Sequence, residues 1–360
     1  MHDETSLVID RGQYADAKTP WERETWREAA LGWARRELAA RGLRETGRLG
    51  VRLRPWSVLV RIPVEGPVQG IEGVEGLGGL DGPGVATGRT AVWLKANPPA
   101  GAFEAPLTAA LARLVPQYVL KPLAVDADRG WSLLPHGGEL FWQALDRDPA
   151  DPRAWEEPLR QYATMQRALI PHTKELEQLG VPSARTTALP EVFDQVVQFI
   201  HSTAEPAVDP ARLRALRPLL LDSCAELAEL GIPDSLDHSD LHDGQLFHPA
   251  PGHYTFFDWG DAAVSHPFCS FLVPAGRVRE RYGPEALPRL RDAYLEPWTG
   301  NGRTTAELRR ALTLASRLGV IGRAASWNRH FPGASAATRA AGATESAKSL
   351  LKLSPDEPLF

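Results

Sequence analysis

The hydrophobic period of this sequence turns from strand to helix at His136-Gly137-Gly138. Before that point, from about residue 49, apolar side chains recur at strand spacing. Val51–Arg54 and Ser57–Pro63 read as a hairpin around Pro55-Trp56, and Thr90–Ala96 as a further strand. Phe103, Leu107, Ala110, Leu111 and Leu114 then fall on one helical stripe, and the apolar runs Tyr118–Val125 and Trp131–Leu134 give two more strands. After it the pattern is helical. Segments at 139–146, 153–169, 190–202, 211–230, 267–281, 284–297, 305–323 and 336–352 are separated by turns bearing Pro and Gly. A loop and two short strands over 236–261 interrupt this run.

At 360 residues the chain exceeds the size at which one core stops growing, so two lobes are expected. Residues 1–45 read as a loose polar arm (1–18) and a helix opened by the capping box Thr19-Pro20-Trp21-Glu22. That helix carries Trp26, Ala30, Trp33 and Ala34 on one face, which is core packing, and ends near Gly42. Residues 46–135 form the small lobe and 136–360 the helical lobe. The fold class is therefore α+β and bilobal: a small N-terminal antiparallel sheet plus helix, then a large, mainly helical lobe. A ligand is expected in the cleft between lobes. Within the small lobe, 66–88 holds nine glycines. It lacks the Gly-Lys-Ser/Thr ending of a P-loop and precedes a strand, so it reads as a flexible insertion and not as a phosphate cradle.

Composition removes several classes of function. With 43% apolar and 24% charged residues the chain is an ordinary globular protein. A net charge of −5 and no Lys/Arg-rich tract argue against nucleic acid as a partner. Cys224 and Cys269 give neither a disulfide framework nor metal-ligand spacing, which suits a reducing compartment. No secretory signal opens the sequence, and no apolar run approaches the ~20 residues of a membrane span. A cytoplasmic protein, a monomer or homodimer, is expected.

The chemistry concentrates at His238-Ser239-Asp240-Leu241-His242-Asp243-Gly244-Gln245 and Phe257-Asp258-Trp259-Gly260-Asp261. One carboxylate sits on a tight polar loop, an amide follows five positions on, and a second carboxylate follows a short apolar strand. Phosphoryl transfer needs such groups: one to orient a hydroxyl, two to hold the magnesium that neutralises nucleotide phosphates. Order and spacing match the H-x-D-x-x-x-x-N and D-x-G signatures of kinases, with Gln245 where that pattern has Asn.

These residues resemble the aminoglycoside phosphotransferase / choline kinase group of small-molecule kinases, whose members read H-G-D-L-H-x-x-N and then I-D-[WFY]-[GE]-D. The resemblance implies a protein-kinase-like fold, ATP or GTP with Mg2+ as cofactors, and a small-molecule hydroxyl as acceptor. It makes Asp240 the catalytic carboxylate, Asp258 the main magnesium ligand and Gln245 the second metal ligand, with His238 and His242 supporting the loop. Upstream, Lys95 would bind the α- and β-phosphates and Glu104, nine residues on, would hold it. Ser57 would offer its hydroxyl and N–H to phosphate. Leu133 to Gly138 would be the hinge, with the backbone at Leu134 among the groups facing adenine. Analogy with the group makes a cationic acceptor such as an aminoglycoside or amino sugar an option, read by Asp292 and Glu296, and antibiotic resistance a biological context for it.

Two other readings use the same letters. His238, Asp240, His242, His248 and His253 are possible ligands of a metallohydrolase, which leaves Lys95 and Asp258 without a role. A nucleotide-binding pseudokinase acting as a scaffold rests on Gln245.

Overall fold

A computed structural model describes residues 7–66, 90–147, 149, 151–203, 208–300 and 302–360. Except for Gly66, the Gly-rich stretch lies outside the described residues. The chain divides into two compact units: Met1–Glu139 with Arg329–Thr338, and Leu140–Asn328 with Arg339–Phe360.

The first unit is built on a seven-stranded sheet. Its strands are β1 (Leu7–Asp10), β2 (Arg44–Glu45), β3 (Leu49–Arg54), β4 (Ser57–Glu65), β5 (Thr90–Ala96), β6 (Ala124–Asp126) and β7 (Trp131–Pro135). They run in the order β1-β3-β4-β5-β7-β6, with β2 on β4. All neighbours are antiparallel except β1 and β3. The alternation in β4 is complete: Val58, Val60, Ile62 and Val64 are buried and the residues between them are not. Helix α1 (Glu24–Ala39) lays Ala30, Trp33, Ala34 and Leu38 on that core. Trp131 of β7 receives Trp26 edge-on at 5.6 Å and Trp33 at 5.9 Å between ring centroids. The expected capping box forms, Thr19 and Glu22 each accepting from the other's backbone, but it opens a 3-10 turn just before α1.

Two expectations for this unit need correction. Part of the supposed loose arm, Leu7–Asp10, is an edge strand paired in register with Leu49–Arg52. The run Tyr118–Val125 is mostly turn, and only Ala124–Asp126 is a strand. Pro122 removes an N–H that a ladder through the run would need. The segment Arg329–Thr338 belongs to this unit as well. Phe331 is buried in the sheet core, and its N–H donates to the Pro55 carbonyl at the β3–β4 turn, 2.8 Å away.

The second unit is mainly helical: α3 (Phe141–Arg147), α4 (Glu156–Leu169), α5 (Thr173–Gln178), α6 (Leu189–His201), α7 (Pro210–Arg214), α8 (Arg217–Glu229), α9 (Leu272–Tyr282), α10 (Leu287–Leu295), α11 (Thr305–Ser326) and most of α12 (Ala336–Leu351). The single helix expected over 211–230 is two, because Pro218 in the first turn of α8 lacks the N–H needed to continue α7. Short strands β8 (Ser183–Ala184), β9 (Ser235–Asp237) and β12 (Ala263–Ser265) form one sheet, and β10 (Leu246–Ala250) and β11 (His253–Phe256) form a hairpin. Among the described residues no helix is long and apolar enough to cross a membrane.

Candidate active site

In the first unit, Lys95 and Glu104 meet. Next to the end of β5, Lys95 lies across from Leu59 of β4 and Ser132 of β7, so its position is fixed from both sides. A turn at Pro99–Gly101 leads at once into α2 (Glu104–Leu114), whose first residue turns back toward the strand. Lys95 Nζ donates to Glu104 Oε1 at 2.7 Å, and both residues are buried, at 9% and 5% exposure. The far oxygen, Oε2, accepts from Asn97 Nδ2, which also donates to the Gly101 carbonyl. Asn97 was not singled out by sequence reasoning; its place two residues after the lysine is the signal that was there.

Ser57 and Leu134 lie in the same unit. Ser57 opens β4 opposite Arg54 across a two-residue turn, Pro55-Trp56. Leu134 pairs with Trp93 in the sheet.

In the second unit, the loop 238–245 joins β9 to β10, and helix α4 sets its start. The Tyr162 hydroxyl accepts from the His238 N–H at 3.0 Å, and Gln166 Nε2 donates to the Leu236 and Pro267 carbonyls. Asp237, the last residue of β9, is fully buried and organises the turn. It accepts from the Ser239 N–H and Oγ, each at 2.9 Å, and from Ser270 Oγ at 2.5 Å. Burial pushes its carboxyl above the usual range, and those donors oppose the shift. Ser239 itself has φ +61°, a left-handed conformation that few residues other than Gly adopt. Its two bonds to Asp237 hold it there. Neither Asp237 nor Tyr162 was expected from sequence.

His238 is buried, and its Nε2–H donates to the Phe257 carbonyl at 2.8 Å. The loop is thereby tied to the segment carrying Asp258. The hairpin register, Leu246 opposite Phe256, and the Phe257 N–H bonded to the Gln245 carbonyl bring Gln245 and Asp258 to the same end of β10–β11. Asp258 is the second non-glycine residue with positive φ, at 65°. His242 Nδ1 accepts from the Gly244 N–H at 3.0 Å, and the ring lies so close that a Cβ at Gly244 would come within 2.8 Å of Cε1. A side chain at position 244 would have to displace that ring.

Asp240 has a partner that sequence reasoning missed. Arg323, in the last turn of α11, donates from Nη1 to Asp240 Oδ1 and, at 3.4 Å, to the Ser239 carbonyl. The same nitrogen lies 4.0 Å from Asp261 Oδ2. Asp261, expected to anchor a turn, thus also faces the 238–245 loop.

Hard oxygen donors suit magnesium. The Gln245 amide has no hydrogen-bond partner among the described residues, and it sits at the hairpin end shared with Asp258. A carboxylate and an unengaged amide carbonyl fit the two protein ligands a magnesium–nucleotide site uses. The metallohydrolase set does not assemble: among the described residues no three His, Cys, Asp or Glu side chains gather as a metal site. His248 instead stacks on Tyr254 at 5.0 Å. The carboxylates considered for a cationic acceptor are also taken. Asp292 accepts from Arg291 and Arg309, and Glu296 from Arg160.

No family model matches the sequence, and no curated protein matches it. Solved structures do. An ethanolamine kinase of Plasmodium vivax superposes with TM-score 0.59 at 11% identity, over 93% of this chain and 90% of that one. A choline/ethanolamine kinase family protein of Mesorhizobium loti gives 0.50 at 15% identity, covering 91% and 96%. An aminoglycoside 2′-phosphotransferase in its GDP complex gives 0.50 at 13% identity, covering 90% and 96%. The chain has the protein-kinase-like fold of these small-molecule kinases.

Proposed function

We propose that this chain is a nucleotide-dependent phosphotransferase that moves the γ-phosphoryl group of ATP or GTP to a hydroxyl of a small molecule. The observation that carries this reading is the buried Lys95–Glu104 pair. Taking two charges out of water costs several kcal/mol per ion, so such a pair is poor value as a structural brace. Presenting an oriented ammonium to phosphate is what it accomplishes. The fold, shared with solved small-molecule kinases at low identity, supports the same reading.

In this scheme the first unit binds nucleotide. Lys95, steadied by Glu104 and Asn97, binds the α- and β-phosphates, Ser57 contacts phosphate at the hairpin tip, and the backbone near Leu134 faces the base. The second unit supplies the acceptor side. Asp258 and Gln245 would hold Mg2+, which would supply positive charge to offset that of the phosphate oxygens. Asp240 accepts the hydrogen bond of the acceptor hydroxyl and aligns it in line with the γ-phosphorus. The new O–P bond forms as the bond from that phosphorus to the β–γ bridging oxygen breaks. The nucleoside diphosphate leaves with the electron pair, and the hydroxyl proton passes to Asp240. His238 and His242 hold the loop.

The acceptor is a hydroxyl-bearing small molecule, with aminoglycosides, amino sugars and choline-like alcohols as the first to screen; antibiotic resistance follows only if an aminoglycoside is turned over. We place the protein in the cytoplasm, as a monomer or homodimer with no nucleic acid or membrane partner. The unpaired, buried Cys224 and Cys269 suit that compartment. The scaffold reading keeps one observation in its favour, the Gln at position 245. The deciding experiment is ATP consumption across that acceptor panel for the wild type and Asp240→Asn, with nucleotide binding measured separately. Turnover that Asp240→Asn abolishes while binding persists supports the enzyme. Binding without turnover in the wild type leaves the scaffold, and turnover untouched by the substitution sinks the mechanism.

A further inference from the structure

We propose that Arg323 is the positioning residue of Asp240: it holds Oδ1, so that Oδ2 is the oxygen that meets the acceptor hydroxyl. This rests on the phosphotransferase reading above. Three residues of α11 on one face, at i, i+3 and i+4, make the approach. A Cβ at Gly319 would lie 3.1 Å from the Cys269 carbonyl, and one at Gly322 would lie 3.7 Å from Ser239 Oγ. The helix therefore runs against the loop, and its next side chain, Arg323, reaches Asp240.

The guanidinium is fixed by more than the carboxylate. Nη1 also faces the Ser239 carbonyl, Asp261 stands 4.0 Å away, and the ring of Trp327, one turn on, lies 5.7 Å from Cζ. The last turn of a helix is where its dipole favours a cation. Oδ1 of Asp240 is thereby committed. Oδ2 is not: among the described residues nothing donates a hydrogen bond to it, and His242 Nε2 stands 3.9 Å off, beyond hydrogen-bond distance. A carboxylate pinned by one oxygen keeps the other in a set direction, which is what in-line alignment of a hydroxyl requires.

An ordinary surface ion pair would look similar in outline, with side chains 26% and 20% exposed. Its removal would change stability by little and turnover not at all. A pair that blocked Asp240 would raise turnover when broken. The test uses the full chain with MgATP, water serving as acceptor, and a fluorescent ATP analogue for binding. Arg323→Met is expected to lower the kcat of hydrolysis about ten- to a hundredfold, with analogue affinity and thermal midpoint close to wild type. Arg323→Lys, which keeps the charge but not the fork, is expected to fall between. Hydrolysis by Arg323→Met at or above the wild-type rate, while Asp240→Asn is inactive, overturns the positioning role and leaves the phosphotransferase standing. Wild-type protein that binds no nucleotide overturns both. Should Arg323→Met unfold, the Lys variant decides: a kcat equal to wild type counts against the proposal.

Discussion

Lys95 and Glu104 are nine residues apart in the chain and 2.7 Å apart in the fold, with Asn97 on the opposite carboxylate oxygen. Lys95→Met therefore removes the proposed phosphate ligand and also strands a buried carboxylate. The stability loss expected is about 3 kcal/mol, toward the lower end for a broken buried pair because Asn97 remains. The double variant Lys95→Met/Glu104→Leu is expected to recover most of that stability and none of the nucleotide affinity. Denaturant midpoints and ATP-analogue titration on the same samples check both halves. Affinity equal to wild type in either variant would remove Lys95 from the site.

At position 245 the amide is one methylene longer than the Asn of related motifs. Gln245→Leu removes the only carbonyl oxygen the side chain has, so magnesium-dependent turnover should fall about a hundredfold or more, in keeping with loss of charge stabilisation at the phosphates. Gln245→Asn restores the usual reach and should match or exceed the wild-type rate. A magnesium titration of ATPase activity reads this directly. Indifference of the Leu variant to magnesium concentration would mean that Gln245 is not a ligand.

Ser239 stands in a left-handed conformation, held by two hydrogen bonds to buried Asp237. Ser239→Gly trades relief of about 1–2 kcal/mol of backbone strain for loss of one side-chain bond, and should unfold within ~1 kcal/mol of wild type. Ser239→Val loses the bond and adds β-branching at positive φ, and should cost about 3 kcal/mol. Urea midpoints at constant slope measure the difference. Equal midpoints for Gly and Val would contradict the account of the turn.

His266 caps the 3-10 turn Pro267–Phe271 by accepting from the Phe268 N–H, and it is fully buried. Burial first, then the charge of Arg303, bring its pKa down from 6.5 to about 3. The folded state thus disfavours the imidazolium that the unfolded chain forms freely. Stability is complete above about pH 6.5 and drains away as pH falls toward 3, at up to about 1.4 kcal/mol per pH unit from this group. His266→Asn keeps an acceptor for the cap and has nothing to protonate. Between pH 7 and pH 5 its unfolding free energy should decline less than that of the wild type by about 2 kcal/mol. Parallel declines would refute the assignment.

Legibility in the sequence followed the range of the interactions. The alternation of Val58, Val60, Ile62 and Val64 is a local signal and located β4; Thr90–Ala96 came out to the residue. Lys95 and Glu104 were readable because a strand end and a helix start nine residues apart leave few other arrangements. Edge strand β1 was not, since only its terminal residues are even partly buried and no alternation marks it. Arg323 was invisible for a different reason. It lies 83 residues from Asp240 on a helix whose own pattern says only that it packs. Asp237 was hidden one residue ahead of the motif, where its neighbours drew attention and its burial could not be known.

The bond from the Phe331 N–H to the Pro55 carbonyl sets an order of events in synthesis. The N-terminal sheet has all of its strands once residue 135 has emerged, yet Phe331 of its core is not translated until the whole stretch from Leu140 to Asn328 has followed. Domains ordinarily fold from the N-terminus as they leave the ribosome. Here the first unit to appear stays incomplete until most of the second has been made, and a nascent chain interrupted before Phe331 presents an unfilled apolar seat at the β3–β4 turn.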